Sequence, residues 1–370
     1  MAQSSAIFLF LRYCLGDKVD MSIIVANIDW QQLYSFATKQ TIIGLCFNGI
    51  ERLGKEFPEK LKRNSIGREL LMTWMAKSQQ IRRQNNKVNE VAAKLYSKLT
   101  EDGLRCCILK GQGNALMYQN PYSRTPGDVD VWVNANRKII MEYASKKFEL
   151  EDDIRLQHLE TSLDGVPVEL HFFPCSMNNP IYNARLRKWC KRNADLQCSN
   201  VISLPDGYGE ITVPTTSFNV IHSHLYRHVF TEGIGLRQLI GYYFVLVKSE
   251  ERRVKNLTAL QRELKYLGLW KFAGAVMYVL HETLGLPEEK MIAPIDVYEG
   301  RFLLTEIMQG GNFGQYDTRL GSKENEGKLH RYLRMSLRNL RFVKHYPTEA
   351  LSEPLFRTWF ALWKKIHGIK

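Results

Sequence analysis

The 370-residue chain has no apolar run approaching the roughly 18 to 20 residues that a bilayer-crossing helix needs. Its longest candidates, Ala6 to Leu11 and Tyr242 to Val247, are short and sit beside Arg, Gly or Lys, which excludes a membrane span. No basic region precedes the first of them and no clear cleavage site follows, so a signal peptide is not expected. Also missing is any Cys-x-x-Cys pair: the 7 cysteines are odd in number and scattered, which argues against a zinc ribbon or a redox site. Reduced thiols and a cytoplasmic location are the expectation. Acidic residues are in deficit, 38 against 51 Lys and Arg for a net charge of +13. Such an excess implies an anionic partner, and charge alone does not choose among nucleotide phosphate, nucleic acid and an acidic surface.

What is present suffices for folded cores, with 45% hydrophobic and 11% aromatic residues. Residues 1–100 read as helical, with apolar spacing near 3.6 through Leu33, Phe36, Ile42 and Leu45 and a long polar helix from about Leu70 to Leu99. From Arg105 the pattern changes to short β-rich runs, namely Cys106 to Leu109, Asp128 to Val133, Leu156 to Thr161 and Val166 to Phe172. Short helices are predicted between them near Asn114 to Tyr118 and from Asn136 to Lys147, and Asp164-Gly165 is a strong hairpin signal. After Pro214 the helical pattern returns and persists. The expected class is α+β: a small mixed-sheet core over residues 101–213, flanked by helical regions at 1–100 and 214–370.

The densest information lies in Leu109 to Val133. A glycine-rich turn, Lys110-Gly111-Gln112-Gly113, leads through Pro121, Arg124 and Pro126 to Asp128-Val129-Asp130-Val131-Trp132-Val133. Strand alternation puts Asp128 and Asp130 on one face and the three valines in a core. Two such carboxylates repel each other unless a cation sits between them, and Mg²⁺ is the simplest occupant. Two-metal phosphoryl transfer calls for a third carboxylate. In Val166 to Phe172 the apolar residues share one face and Glu169 and His171 the other, so a pairing of that strand with the Asp128 strand makes Glu169 the third.

With Lys110-Gly111, Tyr118, Pro121, Arg124, Asp128 and Asp130, Val168 to His171, and Gly-Ile-Gly-Leu-Arg-Gln-Leu at Gly233 to Leu239, the sequence resembles the uncharacterised nucleotidyltransferase family. That family belongs to the DNA polymerase beta-like nucleotidyltransferase superfamily, and the resemblance covers roughly Leu70 to Val247. It implies a mixed sheet backed by helices, with a nucleoside triphosphate and two Mg²⁺ ions on the acidic strands. Gly111 and Gly113 are implied to open a helix that a phosphate approaches closely. Asp128 and Asp130 are implied to bridge both metals, and Glu169 to bind the one that activates the acceptor. Two departures stand out: Gln112 replaces the serine usual in the superfamily, and Gly241-Tyr242 stands where relatives tend to carry Asp-Trp.

Several residues admit two readings. Lys110 either binds phosphate or ends a strand at the surface, and Arg124 either reaches a phosphate bidentately or pairs with Asp128 or Asp130 in the empty site. His171 either assists acceptor deprotonation or orients Glu169. Arg237, inside the Gly233 to Leu239 match, is the helical-region candidate for contacting nucleotide or acceptor. His222, His224 and His228 read as a helix facing the cleft in preference to a zinc site. Two basic clusters, Arg185 to Arg192 and the Arg331, Arg334, Arg338 and Arg341 stripe, read first as solvated helix faces and second as a site for RNA or an anionic acceptor. The leading function is Mg²⁺-dependent transfer of a nucleoside monophosphate from NTP to an unknown hydroxyl-type acceptor, a small molecule, protein or RNA, with release of pyrophosphate. The alternatives are a non-catalytic nucleotide- or partner-binding protein of the same fold and an RNA-binding or RNA-modifying protein.

Overall fold

A computed structural model describes residues 2–20, 24–25, 27–150, 155–221, 224–248, 253–319, 321 and 327–366. The first helices are α1 (Ala2–Leu15), α2 (Trp30–Lys39), α3 (Ile43–Glu56), α4 (Pro58–Arg63) and the long α5 (Arg68–Glu101). The α/β segment follows as β1 (Cys106–Ile108), α6 (Gly111–Ala115), β2 (Val129–Val133), α7 (Arg137–Lys147), β3 (His158–Leu163), β4 (Val166–His171), α8 (Pro180–Gln197), β5 (Val201–Ser203) and β6 (Glu210–Thr212). The rest is helical: α9 (Thr216–Ile221), α10 (His224–Thr231), α11 (Leu236–Lys248), α12 (Arg253–Tyr266), α13 (Trp270–Leu284), α14 (Val297–Gly310), α15 (Lys328–Val343) and α16 (Pro347–Ile366). The fold is α+β, and among the described residues no helix is long and apolar enough to cross a membrane.

The main sheet runs β1-β2-β4-β3, with β2 and β4 parallel and both outer pairs antiparallel. Asp164 and Gly165 both take positive φ, 51° and 78°, as a two-residue hairpin turn requires, and this fixes the β3–β4 register. One face of the sheet, carrying Val129, Val131, Val133, Val166, Val168 and Leu170, is buried against Val91, Leu95 and Leu99 of α5 and Ile140 and Ala144 of α7. The other face carries Trp132, stacked on Phe218 of α9 at 6.0 Å, and turns Asp130, Glu169 and His171 toward the C-terminal helices. A second core joins α1 to α13 and packs Trp74 of α5 among the N-terminal helices, so the helices flanking the sheet segment in sequence close on each other in space.

Two elements run against expectation. Helix α8 and the β5–β6 hairpin carry no prediction, although Asn179 caps α8 by accepting from the Ile181 and Tyr182 amides ahead of Pro180 at its first turn. The helix predicted near Asn114 to Tyr118 lies earlier and is only five residues long. A helix that short has little macrodipole, so bare backbone is what its glycines offer a ligand.

Candidate active site

Parallel pairing of β2 and β4 sets Asp130 directly opposite Glu169, and Asp128 sits one residue ahead of β2 on the same face. Ligand oxygens of Asp128, Asp130 and Glu169 lie within 4.8 Å of one another. A second group, His158, Glu169 and His171, meets the same 4.8 Å limit and shares Glu169. Opposite the acids stands Lys110, whose φ of 45° and ψ of −98° are strained for a residue with a side chain. The backbone is held there because β1 pairs with β2, the Leu109 amide donating to the Asp130 carbonyl at 2.8 Å, while the chain must turn at once into α6.

Crowding of like charge shows in the proton affinities. The charge of Asp130, helped by burial, raises Asp128 above the usual carboxylate value. Burial and the neighbouring aspartates push Glu169 up to about 7. Asp130 goes the other way: burial opposes its charge, but His171 and Lys110 outweigh it and hold the carboxyl below its ordinary value. Burial lowers Lys110 to about 8 against the pull of the acids. Three converging carboxylates of which two resist ionising form a hard-oxygen donor set that a divalent cation would relieve, and it fits Mg²⁺.

His171 is buried between the strands, its Nε2 2.9 Å from Asp130 Oδ1 and 3.0 Å from Glu169 Oε2. Gln157 decides its tautomer. The Gln157 Oε1 accepts from Ser176 Oγ at 2.7 Å and from Arg227 Nη1 at 3.1 Å, and this orients its Nε2 to donate to Pro174 O at 3.3 Å and to His171 Nδ1 at 3.2 Å. Burial disfavours a charged ring and the two carboxylates favour it, raising its proton affinity overall. A second proton would nevertheless sit on Nδ1 against the Gln157 N–H, so the ring holds one proton, on Nε2, facing the acids. His158, across the hairpin, is lowered to about 2, chiefly by burial, and its Nδ1 lies 3.1 Å from Glu169 Oε2.

These groups form one wall of a cavity of about 1050 Å³. Lys110, Gly111, Arg124, Asp128, Asp130, Glu169 and Arg237 all line it; Gln112, Gly113 and His171 do not. The Gln112 side chain is turned into α5, where it donates to Asn89, and Gly113 packs on Val213, whose Cγ1 an added Cβ would meet at 2.9 Å. An added Cβ at Gly111 or Gly127 differs: at Gly111 it finds nothing within 4 Å, and at Gly127 it meets Arg237 Nη2 at 3.3 Å. Arg124 is placed by Asn85 of α5, which donates to its carbonyl at 2.8 Å, and its buried Nη1 has no hydrogen-bond partner. Burial and the adjacent Arg124 lower Arg237 to about 10, so two guanidinium groups stand side by side near Asp128.

The basic stripe of α15 is only partly a solvated face: Arg338 is buried, Arg334 and Arg341 are half-buried and Arg331 is exposed. Arg331, Arg334 and Arg338 line the cavity, whereas Leu329, Leu333, Leu337 and Leu340 are exposed at 72%, 53%, 53% and 62%. Arg341 does not line the cavity and pairs with Asp317 at 3.1 Å and Glu306 at 3.4 Å. Along α8, by contrast, Arg185 and Arg187 lie over Tyr266 and Phe173 outside the cavity. His228 does face the cavity, with Nδ1 3.5 Å from Glu232 Oε2; His222 and the His224 side chain lie outside the described residues. Sequence reading missed His158, Gln157, Arg155 and Arg227. The hairpin register carried a signal for His158, since a two-residue turn at Asp164-Gly165 sets it opposite His171.

The sequence profile of a family described as "Uncharacterised nucleotidyltransferase" matches residues 26–285. No curated protein matches the chain. Among solved structures it is similar to an antigenic nucleotidyltransferase-like protein from Paracoccidioides brasiliensis, at 15% identity over 50% of this chain and 93% of that one, with a TM-score of 0.28. So low a TM-score carries no argument about this chain.

Proposed function

Because the chain belongs to the uncharacterised nucleotidyltransferase family, we propose that it transfers a nucleoside monophosphate from an NTP to a hydroxyl acceptor and releases pyrophosphate, with Mg²⁺ held by Asp128, Asp130 and Glu169. The observation that carries this reading is the convergence of those three carboxylates on one cavity wall beside Gly111, where backbone is bare. Bound there, Mg²⁺ would supply charge neutralisation for the triphosphate and lower the pKa of the attacking hydroxyl.

The chain's own groups supply the rest. Arg124 and Arg237, adjacent and poorly provided with partners, bind the β- and γ-phosphates as a guanidinium pair, and Lys110 adds a third cation at the same end. Gly111 lets the phosphates lie against the main chain. His171 is a positioning residue: lying beneath the cavity wall, it holds one oxygen each of Asp130 and Glu169 through Nε2–H and sets their outward lone pairs. The Gln112 replacement does not count against turnover, because its side chain points away from the cavity.

Pyrophosphate release from NTP and Mg²⁺, with a small-molecule extract supplying acceptors, tests the reading. Asp128→Asn and Glu169→Gln should each cut the rate by more than about 100-fold, the upper end for residues that merely support metal ligands. Wild-type release from well-folded Asp128→Asn protein would sink the assignment.

A further inference from the structure

The far wall of the cavity is built against electrostatic convenience. Arg227 donates to two neutral oxygens, Ser176 Oγ at 2.7 Å and Gln157 Oε1 at 3.1 Å, and its buried Nε meets no partner. Arg338 is 8% exposed, donates to the Val229 carbonyl at 2.7 Å, and leaves Nη1 without a partner. The nearby acids are engaged elsewhere: Glu349 accepts from the Asn178 and Asn179 amides, Glu353 from Asn339 and Arg357, Glu232 faces His228, and Glu306 and Asp317, the acids nearest Arg338, pair with Arg319 and Arg341. Among the described residues no carboxylate comes within ion-pair distance of Arg227 or Arg338. A buried cation lacking a counter-ion is expensive, and helix α15 compounds the expense by turning Arg338 inward and its leucines outward. An anionic ligand with several oxygens would resolve both.

Position says which ligand. Lys110 and Gly111 follow β1 at one edge of the order β1-β2-β4-β3, while Arg227 reaches the triad from the β3 edge, through Gln157 and His171, on the side of Glu169. The two basic groups therefore flank the acids from opposite sides. We propose that Arg227 and Arg338, with Arg331 two turns earlier on the same cavity-lining helix, form an acceptor subsite for a phosphorylated small molecule, whose phosphate they bind while its free hydroxyl lies beside Glu169. The term acceptor rests on the nucleotidyl-transfer reading; the anion site does not. In the step, the hydroxyl oxygen forms a bond to the α-phosphorus, the bond from that phosphorus to the bridging oxygen breaks, and pyrophosphate leaves with the electron pair. The hydroxyl proton leaves to solvent. Cationic acceptors such as amino sugars are rejected by the same guanidinium groups. A cavity of about 1050 Å³ has room for two ligands of the smaller kind, since single small-molecule pockets start at roughly 300 Å³.

Calorimetry on the full chain tests this. Protein saturated with Mg²⁺ and a non-hydrolysable ATP analogue is titrated with ribose 5-phosphate, ribose, an amino sugar and a short oligoribonucleotide. Ribose 5-phosphate alone should bind, without displacing the nucleotide, and Arg227→Met and Arg331→Gln should each weaken it at least about tenfold, the loss of one charge-assisted contact. In Arg331→Gln, outside the Gln157–His171 network, nucleotide affinity should stay within about threefold, and Arg227→Lys should recover part of the loss seen in Arg227→Met. Competition between ribose 5-phosphate and nucleotide, equal loss of both in Arg331→Gln, or binding of only the oligoribonucleotide would overturn the proposal. If the nucleotide itself fails to bind, titrating the free protein with inorganic phosphate still decides the anion site: loss of phosphate affinity in Arg227→Met supports it, and no phosphate binding refutes it.

Discussion

Gly111 and Gly113 lie two residues apart in the same short helix, yet an added methyl group should act on them in opposite ways. At Gly111 the new Cβ has no neighbour within 4 Å, and no positive φ is recorded there, so Gly111→Ala meets no packing penalty. Stability should rise by about 0.4–1 kcal/mol, because the unfolded chain loses conformational freedom. Only a ligand lying against that backbone would collide with the methyl group, so affinity for an NTP analogue with Mg²⁺ should fall about tenfold or more, at least about 1.4 kcal/mol. At Gly113 the methyl group would meet Val213 Cγ1 at 2.9 Å and Cβ at 3.1 Å, and Val213 is itself buried, so the β6 end must shift. Gly113→Ala should therefore cost about 1–3 kcal/mol. Denaturant melts give the stabilities and calorimetry the affinities. A Gly111→Ala protein that is destabilised as much as Gly113→Ala, or that keeps wild-type nucleotide affinity, would refute the reasoning.

Three further outcomes follow from the same geometry. His171→Ala removes the Nε2–H shared by Asp130 and Glu169, so Mg²⁺ affinity should drop about 10- to 100-fold while the far-ultraviolet circular dichroism stays native. Mg²⁺ needs Glu169 ionised and the free protein holds that proton up to about pH 7, so metal affinity should climb as pH rises from 6 to 8, with proton release visible by calorimetry in buffers of differing ionisation enthalpy. Asp317 is held below its ordinary value, by Arg319 and Arg341 against burial, so its contribution to stability is present above the unfolded carboxylate value and is lost as pH falls; Asp317→Asn should flatten the acid limb of melting temperature against pH.

Much of the acidic wall was legible because strand alternation is strict. Once Asp128 and Asp130 share a face and Glu169 and His171 share another, a single adjacency, β2 beside β4, brings them together, and the valines on the reverse faces enforce it. The long polar helix at Leu70 to Leu99 was equally plain, although its buried Asn85 and Asn89 gave no sign that they would pin the Arg124 turn and Gln112. The cavity's far wall was not legible. Helical spacing in α15 reports two faces, and the ordinary preference sends the leucines inward; only the tertiary arrangement, with α10 and α16 packed beside it, reverses them. Arg227 and Gln157 were hidden for another reason: they touch through a network linking positions 157, 171, 176 and 227, a separation that no local pattern encodes.

A crystal structure of the protein with a non-hydrolysable NTP analogue and Mg²⁺ tests the central claim most directly. The expected density places metal between Asp128, Asp130 and Glu169, with the triphosphate running over Gly111 toward Arg124 and Arg237. Nucleotide bound against Arg227 and Arg338 instead, or bound with no metal at the three carboxylates, would contradict it.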